Sequence, residues 1–165
     1  MGYAAEISRV GAMTLFDLKG RQKALADWAG EALPPFPSLP NTSASKDDMD
    51  LLFIGPDHWL LHAPLGREAE LETALNPTEA PPDISIVRIS DTQTFFSING
   101  PDANQIISIA TPLDVHPSVF PENGATFTEA FGLEALILRK SDGFGLVVEQ
   151  SFGDMVEDYF DRAMK

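Results

Sequence analysis

One strand–glycine–helix pattern occurs twice in this chain at a fixed spacing, and it constrains the fold more than any other feature. The segments TLFDLKGRQKAL and TFFSINGPDANQ begin at Thr14 and Thr94, which are 94 − 14 = 80 residues apart. Each reads as an apolar strand, then a glycine (Gly20 or Gly100), then an amphipathic helix. The alternative is chance similarity, because short apolar patterns recur easily. We therefore predict one domain over residues 1–165, built of half-units at about 7–90 and 91–165.

Apolar runs and turn residues outline the elements of both half-units. In the first half they predict strands at 7–18 (bent at Gly11), 50–54, 58–62 and 84–89, helices at 20–32 and 66–75, and a polar loop at 41–48. In the second half they predict strands at 94–98, 126–131, 134–139 and 145–149, and helices at 101–110 and from Ser151 as N-cap. The predicted fold class is α+β, with two pseudo-repeated split β-α-β-β-α-β (ferredoxin-like) units.

Composition narrows the classes of partner and chemistry. A net charge of −14 argues against nucleic acid and against anionic membrane surfaces, since both require clusters of Lys and Arg. There are no cysteines, which excludes disulfides, thiolate metal sites and thiol nucleophiles. No apolar run approaches the length of about 20 residues that spans a bilayer, and the N-terminus does not resemble a signal peptide. We therefore expect a cytoplasmic protein.

No catalytic, metal or cofactor site is predicted in the chain itself. His58 and His62 belong to HWLLH, which reads as a strand and places them roughly 13 Å apart, too far to share one ion. The chain has neither a G-x-S-x-G elbow nor a glycine-rich phosphate loop. His116 could act as a base or as a donor to a ligand, and the alternative is a loop histidine that bonds to nearby backbone.

Proline-rich loops supply the candidates for partner binding. Aromatic side chains held by prolines serve as anchors for another protein when they are not buried in their own chain. Five residues in two such loops are candidates: Pro112, Asp114, His116, Phe120 and Phe36.

Three segments carry a resemblance to a known family. They are GPDHWLL at 55–61, VRISDTQTFFSINGPDANQII at 87–107 and PLDVHPSVFP at 112–121. In this order and spacing they resemble the gamma subunit of heterotetrameric sarcosine oxidase, within the glycine-cleavage T-protein-like superfamily. The chain departs from the family pattern at Ala110 and Thr111, where family members often have a cysteine, and residues 4–50 match only in pattern. The resemblance implies that the two units pack as in the N-terminal part of T-protein-like folds.

The resemblance also implies a function. Such a chain is a small, non-catalytic subunit of a complex of four different chains that oxidatively demethylates sarcosine to glycine and passes the one-carbon unit to tetrahydrofolate. FAD, FMN, NAD and tetrahydrofolate are then held by large flavoprotein partner subunits, with no cofactor in this chain. The N-methyl amine substrate stays open, because related complexes act on other N-methyl compounds. The alternatives are a free-standing folate-binding module and an aminomethyl- or methyltransferase-like module.

Overall fold

The computed structural model describes residues 2–165. These residues form ten strands and four α-helices, in the order β1 (Glu6–Val10), β2 (Met13–Lys19), α1 (Gln22–Ala29), β3 (Ser43–Lys46), β4 (Met49–Gly55), β5 (His58–Pro64), α2 (Glu68–Leu75), β6 (Ser85–Arg88), β7 (Gln93–Asn99), α3 (Ala103–Ala110), β8 (Ala125–Ala130), β9 (Leu133–Lys140), β10 (Gly143–Glu149) and α4 (Gly153–Ala163). They divide into a continuous unit, Ala12–Asp91, and a discontinuous unit that combines residues 2–11 with Thr92–Lys165.

Each unit contains one antiparallel sheet of five strands. The strand order is β3-β4-β5-β2-β6 in the continuous unit and β1-β7-β10-β9-β8 in the discontinuous unit. The two orders are equivalent when β2 is matched with β7 and β6 with β1. The predicted α+β class with a repeated layout is confirmed.

The first strand of each repeat joins the sheet of the other repeat. β1 precedes β2 in the chain yet pairs with β7, where Ile7 lies opposite Ile98. β6 precedes β7 in the chain yet pairs with β2, where Ile86 lies opposite Leu18. The prediction of one strand over 7–18 is therefore wrong, because the chain leaves one sheet before Gly11 and enters the other at Met13.

The two repeated glycines explain how the exchanged strands β1 and β6 fit into their sheets. Gly20 has φ +135° and Gly100 has φ +112°, both in the region that disfavours side chains. A Cβ on Gly20 would lie 2.8 Å from Cγ2 of Ile84, and a Cβ on Gly100 would lie 2.8 Å from the carbonyl oxygen of Ala4. Because neither glycine has a side chain, the backbone that leads into β6 can approach Gly20 closely, and the backbone that leads into β1 can approach Gly100.

Two local predictions are corrected. Residues 43–46 form an edge strand, whereas the sequence indicated a loop; a short polar edge strand lacks the apolar alternation that marks a strand. Ser151 does not cap α4, since its hydroxyl donates to Glu149 Oε1 at 2.7 Å and the helix is entered through a short 3₁₀ turn.

Each unit has its own apolar cluster, formed by one side of its sheet and its helices. α1 and α2 contribute Leu25, Ala29, Leu71 and Leu75 in the continuous unit, and α3 and α4 contribute Ala103, Ile106, Ile107, Ala110, Val156 and Phe160 in the discontinuous unit. None of the helices in residues 2–165 is long and apolar enough to cross a membrane.

Candidate partner-binding surface

The loop between α3 and β8 carries four of the five predicted partner-binding residues. It begins with two side-chain turns: Leu113 N–H donates to Thr111 Oγ1 at 3.2 Å, and His116 N–H donates to Asp114 Oδ1 at 2.9 Å. The carbonyl of His116 then accepts the N–H of Phe120 at 2.9 Å. These bonds satisfy the backbone locally, so the loop has a defined shape without belonging to a sheet.

Phe120 anchors this loop from beneath. Its side chain is 4% exposed and belongs to the core of the discontinuous unit. A Cβ on Gly124 would lie only 2.6 Å from the Phe120 ring, so the ring lies directly on a glycine backbone. The expectation that this aromatic faces outward is corrected, and any effect of Phe120 on a partner acts through the shape of the loop.

Arg139 of β9 holds the loop from the other side. Its guanidinium donates to the carbonyl of Val115 and lies over the rings of Phe144 and Phe120, 4.8 and 5.6 Å from their centroids. Burial lowers the pKa of Arg139, while the charge of Glu122 opposes that shift. Sequence reasoning missed this residue, although an arginine directly after the apolar run LIL was a usable signal.

The exposed rim of the loop consists of Pro112, Asp114 and His116, together with Val119, which is 60% exposed. His116 Nδ1 accepts the N–H of Ser118 at 3.2 Å, which places the proton of the neutral ring on Nε2. The rim therefore offers an N–H donor beside an apolar side chain. Val119 was not among the predicted residues, because a lone valine between prolines carries no periodic signal.

Phe36 lies in the continuous unit, not with the other four candidates. Its ring is half-buried and packs edge-on against Trp59, with 5.1 Å between ring centroids. Leu39, three residues further on, is 64% exposed. The proline-rich segment thus presents Leu39 more openly than Phe36.

The strand histidines are structural. His58 Nε2 bonds to Asp17 Oδ1 on the adjacent strand, and Asp17 Oδ2 lies 3.2 Å from Lys19 Nζ. His62 is 3% exposed. Among residues 2–165, no group of three or more His, Asp or Glu side chains is arranged to hold a metal ion.

Comparison with known proteins identifies the family. A model of the sarcosine oxidase, gamma subunit family matches residues 30–164, which include the loop and all of its candidates. The chain belongs to this family.

Individual relatives agree with this family membership. The gamma subunit of sarcosine oxidase from Corynebacterium sp. (strain P-1) is 29% identical over 121 residues, a match that covers 72% of this chain and 57% of the relative. The chain thus spans little more than half the length of that curated relative.

Solved structures share the fold. A chain of the heterotetrameric sarcosine oxidase from Corynebacterium sp. U-96, crystallised with pyrrole 2-carboxylate, matches with a TM-score of 0.80 and 22% identity, covering 97% of this chain and 83% of that one. The glycine cleavage system aminomethyltransferase T from Bartonella henselae matches with a TM-score of 0.68 and 14% identity, covering 95% of this gamma-family chain and 45% of that one. The T-protein-like fold implied by the sequence resemblance is confirmed.

Proposed function

We propose that this chain is the gamma subunit of a heterotetrameric sarcosine oxidase-like complex, which demethylates sarcosine oxidatively to glycine and transfers the one-carbon unit to tetrahydrofolate. The observation that carries the proposal is the family match over residues 30–164. The fold shared with a chain of a heterotetrameric sarcosine oxidase over 97% of this chain supports it.

Within that complex, the role of the chain is structural. FAD, FMN, NAD and tetrahydrofolate are bound by the large flavoprotein subunits, and this chain docks on them. The loop at 112–121 suits docking because Arg139 and the buried Phe120 hold its backbone in one shape before a partner binds. Its exposed rim, with Val119 and His116, then contacts the partner.

Co-expression tests this proposal. The tagged chain is produced together with the flavoprotein subunits of a sarcosine oxidase-like complex from the source organism, and the purified assembly is assayed for flavin absorbance and sarcosine oxidation. We expect a stable complex containing four different chains, whose recovery falls when this chain is omitted. Recovery of a fully active complex without it would contradict the structural role.

A folate titration distinguishes the proposed structural role from the alternative, a folate-binding module. The likeness to aminomethyltransferase T shows a shared fold and extends over 45% of that protein. If the full chain alone binds tetrahydrofolate tightly by calorimetry, a folate-binding module replaces the structural role. If tetrahydrofolate binds only to the assembled complex, the proposed function stands.

A further inference from the structure

Helix α4 carries a second apolar stripe outside the core. Val156 and Phe160 are buried, whereas Phe152, Met155 and Tyr159 are each 37% exposed. Met155 and Tyr159, four residues apart, lie on one side of α4 next to the buried stripe, and Phe152 precedes Met155 by three residues in the 3₁₀ turn that leads into the helix. The turn between β8 and β9 adds Phe131, which packs edge-on against the buried Phe160, with 5.2 Å between ring centroids, and lies 5.1 Å from the ring of Tyr159. Phe131, Phe152, Met155 and Tyr159 form what we call the α4 apolar face.

Helix α2, the equivalent of α4 in the other repeat, shows which residue types the fold requires at these positions. The buried Leu71 of α2 matches Val156 of α4, a displacement of 156 − 71 = 85 residues, and both helices follow a 3₁₀ turn. At the same displacement, the counterparts of Phe152, Met155 and Tyr159 are Arg67, Glu70 and Ala74. Arg67 Nε and Glu70 Oε2 form an ion pair at 2.9 Å. Two of the three positions thus carry charges in one repeat and apolar groups in the other, and the third carries a small alanine in place of Tyr159.

The adjoining hairpins differ in the same way. Asp47, between β3 and β4, and Phe131, between β8 and β9, both have positive φ, 56° and 52°. Asp48 then pairs with Arg67 at 2.7 Å, so the hairpin–helix contact of the continuous unit is ionic. Positive φ is rare for a bulky side chain such as phenylalanine. Both repeats form the same helix and hairpin, and only one of them has apolar side chains there, so folding alone does not require the exposed Phe152, Met155 and Tyr159.

We propose that the α4 apolar face is a docking surface for another subunit of the complex, one whose contact surface is apolar at its centre and lined with Lys and Arg. This inference rests on the proposed function. The charge of this surface selects the partner, because α4 contains four carboxylates, Asp154, Glu157, Asp158 and Asp161. Arg9 of β1 pairs with Asp154 at 2.7 Å and with Glu157 at 3.3 Å, and Arg162 pairs with Asp158 at 2.6 Å, so four carboxylates stand against two arginines and the surface keeps a net negative charge. A second copy of this chain is a poor occupant, because each copy has a net charge of −14 and brings the same carboxylates.

The test exchanges the residues of one repeat for those of the other. The variant Phe152→Arg, Met155→Glu, Tyr159→Ala gives α4 the side chains of α2, and Leu65→Gln is the matched control. Leu65 is 49% exposed and occupies the position of Gln150 in the 3₁₀ turn before the helix. Each full-length chain is co-expressed with the flavoprotein subunits, and the affinity of the assembly is measured by sedimentation, with thermal unfolding of the free chain as the folding check.

We expect the triple variant to bind the flavoprotein subunits at least about 100-fold more weakly, and the control to bind as the wild type does. Binding of the wild type should also weaken as salt is raised, because the rim of the interface is charged. If the thermal midpoint of the triple variant drops, the single variant Met155→Glu is used in its place. It should also bind the flavoprotein subunits more weakly than the wild type, by a smaller factor than the triple variant.

Three results would overturn the inference. If the wild type assembles with the flavoprotein subunits and the folded variant assembles equally well, the α4 apolar face is not the docking surface, although the proposed function stands. If the wild type forms a dimer that the variant abolishes, the occupant is a second copy. If the wild type binds no flavoprotein subunit, the proposed function fails, and this inference fails with it.

Discussion

Substitution of Gly100 by alanine tests the strand exchange directly. The residue has φ +112°, and a Cβ there would lie 2.8 Å from the carbonyl oxygen of Ala4, which leads into β1. The same junction is tied by Asp102, whose Oδ2 accepts the N–H of Ala4 at 2.7 Å. Alanine therefore suffers both a backbone conformation that L residues avoid and a collision with backbone that is held in place.

Two further glycines separate these contributions. Gly132 has φ +79° with open space around its Cβ position, so Gly132→Ala isolates the conformational term, about 1–2 kcal/mol of lost stability. Gly66 has neither positive φ nor a neighbour within 4 Å, so Gly66→Ala should be neutral or stabilise by about 0.4–1 kcal/mol through the unfolded state. Gly100→Ala adds the collision, for a total loss of about 2–5 kcal/mol.

Urea unfolding of the full chain, followed by far-UV circular dichroism, ranks the three variants at constant m-value. The expected order of stability is Gly66→Ala, then Gly132→Ala, then Gly100→Ala. If Gly100→Ala costs no more than Gly132→Ala, the approach of Ala4 is absent and the pairing of β1 with β7 is refuted.

Other substitutions examine the loop and the helix contacts. Phe120→Ala should lower the free energy of unfolding by about 3–5 kcal/mol, because the ring is 4% exposed in the core. Val119→Ser should stay within about 0.5 kcal/mol of the wild type while weakening assembly with flavoprotein subunits; unchanged assembly would remove this loop from the interface. Arg139→Met should cost about 2 kcal/mol in urea unfolding, since a charged hydrogen bond to the loop carbonyl is lost. Trp28→Phe removes a 2.7 Å bond from Nε1 to the Leu75 carbonyl and should cost about 1 kcal/mol; no change would mean that water replaces it.

Family membership and the repeat could be read from the sequence because both depend on local order. Gly20 and Gly100 follow apolar strands and precede amphipathic helices, and that order survives in the structure with matching positive φ. The three segments that resemble the gamma subunit family all lie within residues 30–164, where the family model matches.

Burial in the loops could not be read from the sequence. Phe36 and Phe120 stand in similar proline-rich contexts, yet Phe120 is buried and Phe36 is only half-buried. The difference arises from packing: Gly124, four residues after Phe120, leaves room for one ring, and Trp59, on strand β5, supplies an edge for the other. Neither contact has a signature in the local pattern.

By itself, the sequence determined the class of elements, their order and their repetition, since these follow from the periodicity of apolar side chains and from glycine and proline at turns. Only the tertiary structure decided which sheet receives β1 and β6, because a short apolar strand pairs equally well with any complementary edge. Long-range contacts make that choice: Ala4 lies against Gly100 and Asp102, and Ile84 lies against Gly20. The tertiary structure also established which residues are equivalent in the two repeats, because Arg67 and Glu70 occupy the positions at the start of α2 that Phe152 and Met155 occupy at the start of α4.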